Sequence, residues 1–197
     1  MKQLDYYFWL NSDWALLGAD RLALLAQRQD VQVNYKPVDL LDVYARTGGI
    51  PLSRRSVQRQ DYREQELRRW MPLLGMQINV TPRYMCPDAS LASRFLIAAE
   101  LLGYPVAQLH KEILAAQWCH EQDIAQADVL LGVAARLGLP GPAMMQRAAQ
   151  PEAERQYRRY TDEAVSAGVF GSPSYVLAGE VFWGQDRLDF LDRALAG

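Results

Sequence analysis

The stretch Phe170–Leu191 concentrates residue types that together can hold a small charged molecule. Ser172-Pro173 stands directly before a short apolar run, Ala178-Gly179 supplies a turn, and Gly184-Gln185-Asp186-Arg187 opens the chain's last helical pattern. Exposed backbone N–H groups at a helix start favour a carboxylate, while Gln185 and Asp186 add an amide and a countercharge for an ammonium group. A second polar group lies on "RQDYREQELRRW", where Arg59, Tyr62, Glu66 and Arg69 recur at spacings of three and four and so share one helix face. That run interleaves both charge signs, which by itself describes a solvated face. Ser12 precedes an acidic residue and an apolar run, the position of a helix N-cap.

Other chemistries are disfavoured. Cys86 and Cys119 are far apart and form no C-x-x-C pair, so neither a disulfide framework nor dithiol redox chemistry is expected. Adding His110 and His120 gives four potential ligands, but the adjacent Cys119 and His120 would point about 100° apart on a helix, so no metal site is expected. If the protein handles a thiol, the thiol is not its own. A formal net charge of −2 gives no electrostatic reason to expect nucleic acid or an anionic membrane as a partner. Asp5, Asp13 and Asp20 interrupt the N-terminal apolar run, which argues against a signal peptide or membrane span and for a cytoplasmic protein.

These residues need a frame. "LDYYFWL" (Leu4–Leu10) reads as a buried strand, followed by a helix capped at Asn11 or Ser12, with Leu16, Leu17, Leu24 and Leu25 compatible with its buried face. "VQVNYKPV" (Val31–Val38) alternates as a second strand, and the three elements make a β-α-β unit with parallel strands. From about Leu40 to Ser166 helical patterns take over; "SYVL" and "EVFW" then form two strands, and "QDRLDFLDRALA" a terminal helix. The expected division is a domain built from residues 1–40 and 167–197, with residues 41–166 as an inserted helical domain. With 50% hydrophobic residues the chain has ample material for a core.

This order of elements, with a proline just before the first returning strand, resembles an α/β thioredoxin-like fold of the DsbA-like type. "GVFGSPSYVLAGEVFWGQDRLDFL", "WCHEQDIAQADVL" and "RQDYREQELRRW" further resemble motifs of the 2-hydroxychromene-2-carboxylate isomerase family, related to kappa-class glutathione transferases. The resemblance implies glutathione as cofactor, a small aromatic chromene carboxylate as substrate, cis-trans isomerisation through reversible thiol addition, and a homodimer. It makes Ser12 the residue that stabilises the glutathione sulfur and Pro173 a cis-proline. It places the cysteinyl backbone against Ser172-Pro173 and the Val169-Phe170 segment, the glutamyl end at Gln185 and Asp186, and the glycyl carboxylate at Arg59, where the family usually has lysine. Lowering a thiol from about 8.5 by about two pH units corresponds to about 2.7 kcal/mol, within reach of one hydrogen bond and a helix terminus.

The chain departs from that family at three further places. Ser12-Asp13-Trp14 replaces serine-proline-aromatic, so a carboxylate is expected beside the sulfur, where it would raise the thiol pKa. "YYFWL" places Trp9 where an acidic residue is usual, and Asp88 stands in an asparagine position. A kappa-like transferase or peroxidase, and a binding module that keeps the tripeptide cleft without chemistry, are the alternative readings.

Overall fold

The computed structural model describes residues 2–197. Its first strand, β1 (Lys2–Phe8), leads into helix α1 (Asp13–Gln29) and strand β2 (Val31–Pro37). Seven helices follow: α2 (Leu40–Thr47), α3 (Val57–Leu74), α4 (Ser90–Leu101), α5 (Ala107–Trp118), α6 (Ala127–Arg136), α7 (Gly141–Ala148) and α8 (Pro151–Ser166). Strands β3 (Ser174–Leu177) and β4 (Glu180–Trp183) and helix α9 (Leu188–Ala196) complete the chain. The sheet order is β2-β1-β3-β4, with β1 and β2 parallel and the other two pairings antiparallel. The β-α-β start, helical middle and β-β-α finish expected from the sequence are all present, in a thioredoxin-type arrangement.

β1 sits at the centre of the sheet because it is apolar on both faces: Leu4, Tyr6 and Phe8 are fully buried on one, and Tyr7 is buried on the other. Tyr6 stacks on Phe8 and on Tyr175 and meets Tyr35 edge to face, and His110 packs edge-on against Tyr6 and Phe8 with its Nε2 3.2 Å from the Tyr6 hydroxyl. Burial holds the His110 ring neutral, its pKa pushed down to about 3. One core runs from these strands into α4, α5 and α6, so sheet and helices share the same apolar interior.

Element edges differ from the sequence expectation where exposed or polar contacts decide them. β1 begins at Lys2, because exposed Lys2 and Gln3 pair with Val31 and Gln32, and it ends before Trp9. There the Trp9 N–H turns to the Ser172 hydroxyl at 2.9 Å and the Trp9 carbonyl accepts from Ser12 N–H at 2.9 Å. On α1, Leu16, Leu17 and Leu25 are buried with Leu22, but Leu24 is 66% exposed. Its position, about 200° around the helix from Leu22, carries it off the apolar face. The terminal helix opens with a separate 3₁₀ turn, Gln185–Arg187, before α9. That turn rests on α1 at Gly18, where a Cβ would come within 2.9 Å of the Gln185 Cβ. The β3–β4 hairpin turns at Ala178-Gly179, both with positive φ, matching the two-residue turn chemistry of tight hairpins.

Candidate functional site

Ser12 caps α1: its hydroxyl oxygen accepts from Ala15 N–H at 3.2 Å, and the same hydroxyl donates to the Ser172 carbonyl at 3.3 Å. The cap satisfies one of the otherwise unpaired N–H groups at the helix start, where the helix dipole also favours negative charge. The Trp9 N–H donating to Ser172 Oγ locks the end of β1 against the turn before β3, and the Ser172-Pro173 peptide is cis. Ser174 Oγ donates to the Gly171 carbonyl at 2.8 Å and Gly184 N–H to the Pro173 carbonyl at 2.9 Å. Ser12 and Ser172 thus meet through a fixed set of backbone anchors.

They border a cavity of about 1100 Å³, whose walls include Trp9, Tyr44, Met85 and Trp118 together with polar Asn11, Asp13 and Arg63. Cys86 also reaches this cavity, with its thiol pushed up to about 11 by desolvation and by the Asp13 charge. Cys86 is therefore protonated at neutral pH.

Asp13 follows Ser12 but does not stand alone. It is buried, and Arg63 from α3, also buried, donates through Nε to Asp13 Oδ2 at 2.7 Å, with Nη2 2.5 Å from the same oxygen. Trp14 N–H donates to Asp13 Oδ1 at 2.8 Å. Desolvation nevertheless raises the Asp13 pKa, opposed first by Arg63 and then by the Trp14 N–H. The carboxylate expected to repel a thiolate is therefore offset by a guanidinium at contact distance. Arg63 also donates to the Val80 carbonyl at 3.2 Å and lies over the Trp118 ring, 5.3 Å from its centroid.

Of the residues singled out from sequence, Ser12 and Ser172 come together at the cavity, with Pro173 in the turn that presents Ser172. The others lie elsewhere. Arg59 is exposed on α3, one turn before the buried Arg63, and does not border the cavity. Val169 is fully buried in an apolar cluster, with its N–H donating to the Ala164 carbonyl at 2.9 Å. Gln185 is 1% exposed and accepts from Arg21 through Oε1 at 2.7 Å and through its carbonyl at 3.0 Å. Asp186 pairs with Arg187 at 2.9 Å on the surface. Asp88, in the cavity wall, binds Ser90.

Arg63 is the residue that sequence reasoning missed. A signal was present: Arg63, Leu67, Trp70 and Leu74 follow one another at four, three and four, so a lone arginine interrupts an apolar helix stripe. Among the described residues no group of three or more His, Cys, Asp or Glu side chains is placed to hold a metal ion, and no helix is long and apolar enough to cross a membrane.

A DSBA-like thioredoxin domain model matches residues 3–196. A 2-hydroxychromene-2-carboxylate isomerase of Sphingobium xenophagum is 27% identical over 195 residues, covering 98% of both chains. The Pseudomonas putida protein of the same name is also 27% identical, over 98% of this chain and 93% of the relative. A solved 2-hydroxychromene-2-carboxylate isomerase superposes with a TM-score of 0.81 at 26% identity, over 98% of this chain and 94% of that one. A probable DsbA oxidoreductase from Streptomyces coelicolor, at 19% identity, shares the fold with a TM-score of 0.77, over 100% of this chain and 89% of that one. The chain belongs to the DSBA-like thioredoxin domain family.

Proposed function

We propose that this chain is a glutathione-dependent isomerase of the 2-hydroxychromene-2-carboxylate type, acting on a small aromatic acid. The observation that carries the reading is Ser12: a hydroxyl at a helix N-terminus, held 3.3 Å from the Ser172 carbonyl at the edge of a roughly 1100 Å³ cavity. End-to-end similarity to proteins named for that reaction supports it. The volume lies at the upper end of ligand pockets, enough for a thiol-bearing peptide end and a bicyclic acid side by side.

The residues present fit the tripeptide's thiol. Ser12 Oγ–H is engaged only by a long hydrogen bond to Ser172, so it can turn to a sulfur while the oxygen continues to cap α1. Cys86 offers no competing thiolate at the cavity, because it is held protonated. When bound, glutathione would supply the thiolate for reversible addition to the conjugated double bond of the opened chromene, a chemistry that permits rotation and returns the thiol unchanged. Ser12 then stabilises negative charge on the attacking and departing sulfur, and the α1 N-terminus adds its dipole. Arg63 partly offsets the opposing Asp13 charge at the next residue. Trp9, Tyr44 and Trp118 supply an apolar wall for an aromatic ring.

Isothermal titration with reduced glutathione tests the cofactor assignment. Saturable micromolar to millimolar binding is the expected result. Absence of heat at millimolar glutathione would remove the cofactor and with it the proposed reaction.

A further inference from the structure

Two hydroxyls stand at the Ser12 end of the cavity, because half-buried Ser172 lines it as well. Three hydrogen bonds close a ring through Ser12, Trp9 and Ser172. Ser12 N–H donates to the Trp9 carbonyl at 2.9 Å, Trp9 N–H donates to Ser172 Oγ at 2.9 Å, and Ser12 Oγ–H donates to the Ser172 carbonyl at 3.3 Å. A main-chain group takes part in every one of these bonds, so the ring holds both hydroxyl oxygens in fixed places on one cavity edge.

The two hydroxyls are not equally committed. Ser12 Oγ accepts from Ala15 N–H and directs its proton to the Ser172 carbonyl. Ser172 Oγ accepts from Trp9 N–H, and its own proton has no acceptor among the described residues. A hydroxyl donates one bond while accepting others, so Ser172 carries an uncommitted O–H on an oxygen that is already anchored. The neighbouring charge gives such a donor a use. Asp13 follows Ser12 and Arg63 offsets its charge only in part, so a sulfur anion held here gains from a donor beyond Ser12 and the helix terminus.

We propose that Ser172 is a second catalytic hydroxyl, its Oγ–H donating to the glutathione sulfur alongside Ser12 Oγ–H. This rests on the proposed glutathione chemistry and assigns the Ser172 side chain a part in it. Trp9 N–H holds the Ser172 oxygen from the β1 side, so the hydroxyl can turn its proton to a sulfur without giving up its anchor. The Ser172 carbonyl, which Ser12 uses in the free protein, belongs to the main chain and stays in place when the side chain is changed.

The test is the thiol pKa of bound glutathione, read from thiolate absorbance in the ultraviolet as pH is varied, with the protein saturated and its own absorbance subtracted. Ser172→Ala is expected to raise that pKa by about one pH unit, the worth of one hydrogen bond to a charged group. Ser172→Thr, which keeps a hydroxyl, is expected to stay near the wild-type value. Adding Ser172→Ala to Ser12→Ala is expected to raise the pKa further, because each hydroxyl donates to the sulfur itself; a residue that only positions Ser12 would add nothing there. The charged groups on the same wall, Asp13, Asp39, Asp88, Arg54, Arg55 and Arg63, are untouched in all these variants. An unchanged pKa in Ser172→Ala, a threonine variant that behaves as alanine does, or a rise that vanishes in the Ser12→Ala background overturns the proposal. If the wild type still binds glutathione and turns over, that failure leaves the proposed function standing. Absence of glutathione binding by the wild type overturns both.

Discussion

Replacing Arg63 by methionine strands the Asp13 carboxylate in a buried position, and the consequence depends on pH in a defined direction. Both side chains are 8% exposed and their closest contact is 2.5 Å. Breaking a buried pair from one side costs about 3–5 kcal/mol, whereas replacing both partners is commonly neutral or stabilising. Desolvation already raises the Asp13 pKa against the opposing pull of Arg63, and losing Arg63 raises it further. A carboxyl whose folded pKa is raised contributes stability below its unfolded value and loses it as pH rises through the folded value. Arg63→Met is therefore most damaging at pH 7 and recovers as pH falls, by at most about 1.4 kcal/mol per pH unit for one proton. Between pH 7 and 5 the recovery relative to Asp13→Asn/Arg63→Met reaches up to about 2.7 kcal/mol. Urea unfolding of the two variants at both pH values measures it, and His110 titrates in both, so its contribution cancels. A gap that does not change with pH, or a double variant as unstable as the single one, would refute the reasoning.

His110 gives the opposite slope: with its folded pKa depressed to about 3, its stabilising contribution is present above the unfolded value near 6.5 and lost progressively as pH falls to about 3. Wild type should thus lose about 2 kcal/mol more than His110→Gln between pH 7 and 5, read by denaturant titration. Ser12→Ala removes the α1 cap and should cost about 0.5–2 kcal/mol of stability. In the proposed reaction the same change lowers turnover about 10- to 100-fold, as the sulfur reverts toward an ordinary thiol, while glutathione affinity in calorimetry is largely kept. Gly18→Ala forces a Cβ against Gln185 and Tyr175 and should destabilise by about 1–3 kcal/mol, seen as a lower melting temperature.

The frame was legible because it rests on local signals. An apolar strand, a serine cap and an alternating strand fix the β-α-β unit, and a two-residue turn between apolar runs fixes the hairpin. Ser12 and Ser172 could be read for the same reason, since both stand at element boundaries. Long-range contacts were not legible. Arg63 belongs to the site only because α3 brings its inner face against the start of α1, and Gln185 is occupied only because Arg21 reaches across from that helix. Arg59, Tyr62 and Arg69 are exposed on α3, while Arg63, only about 40° around the helix from Arg59, is the residue that the packing of α3 against α1 buries. Trp9 left β1 for a similar reason: its apolar character suits a strand, while its N–H is taken by a serine 163 positions later.

The most direct test of the central claim is the rate of 2-hydroxychromene-2-carboxylate isomerisation by the purified protein, followed by absorbance with and without reduced glutathione, with free thiol counted at the end. The account predicts turnover that saturates with glutathione, is negligible without it, and leaves the thiol count unchanged. An equal rate without glutathione, or glutathione consumed in step with substrate, would contradict it.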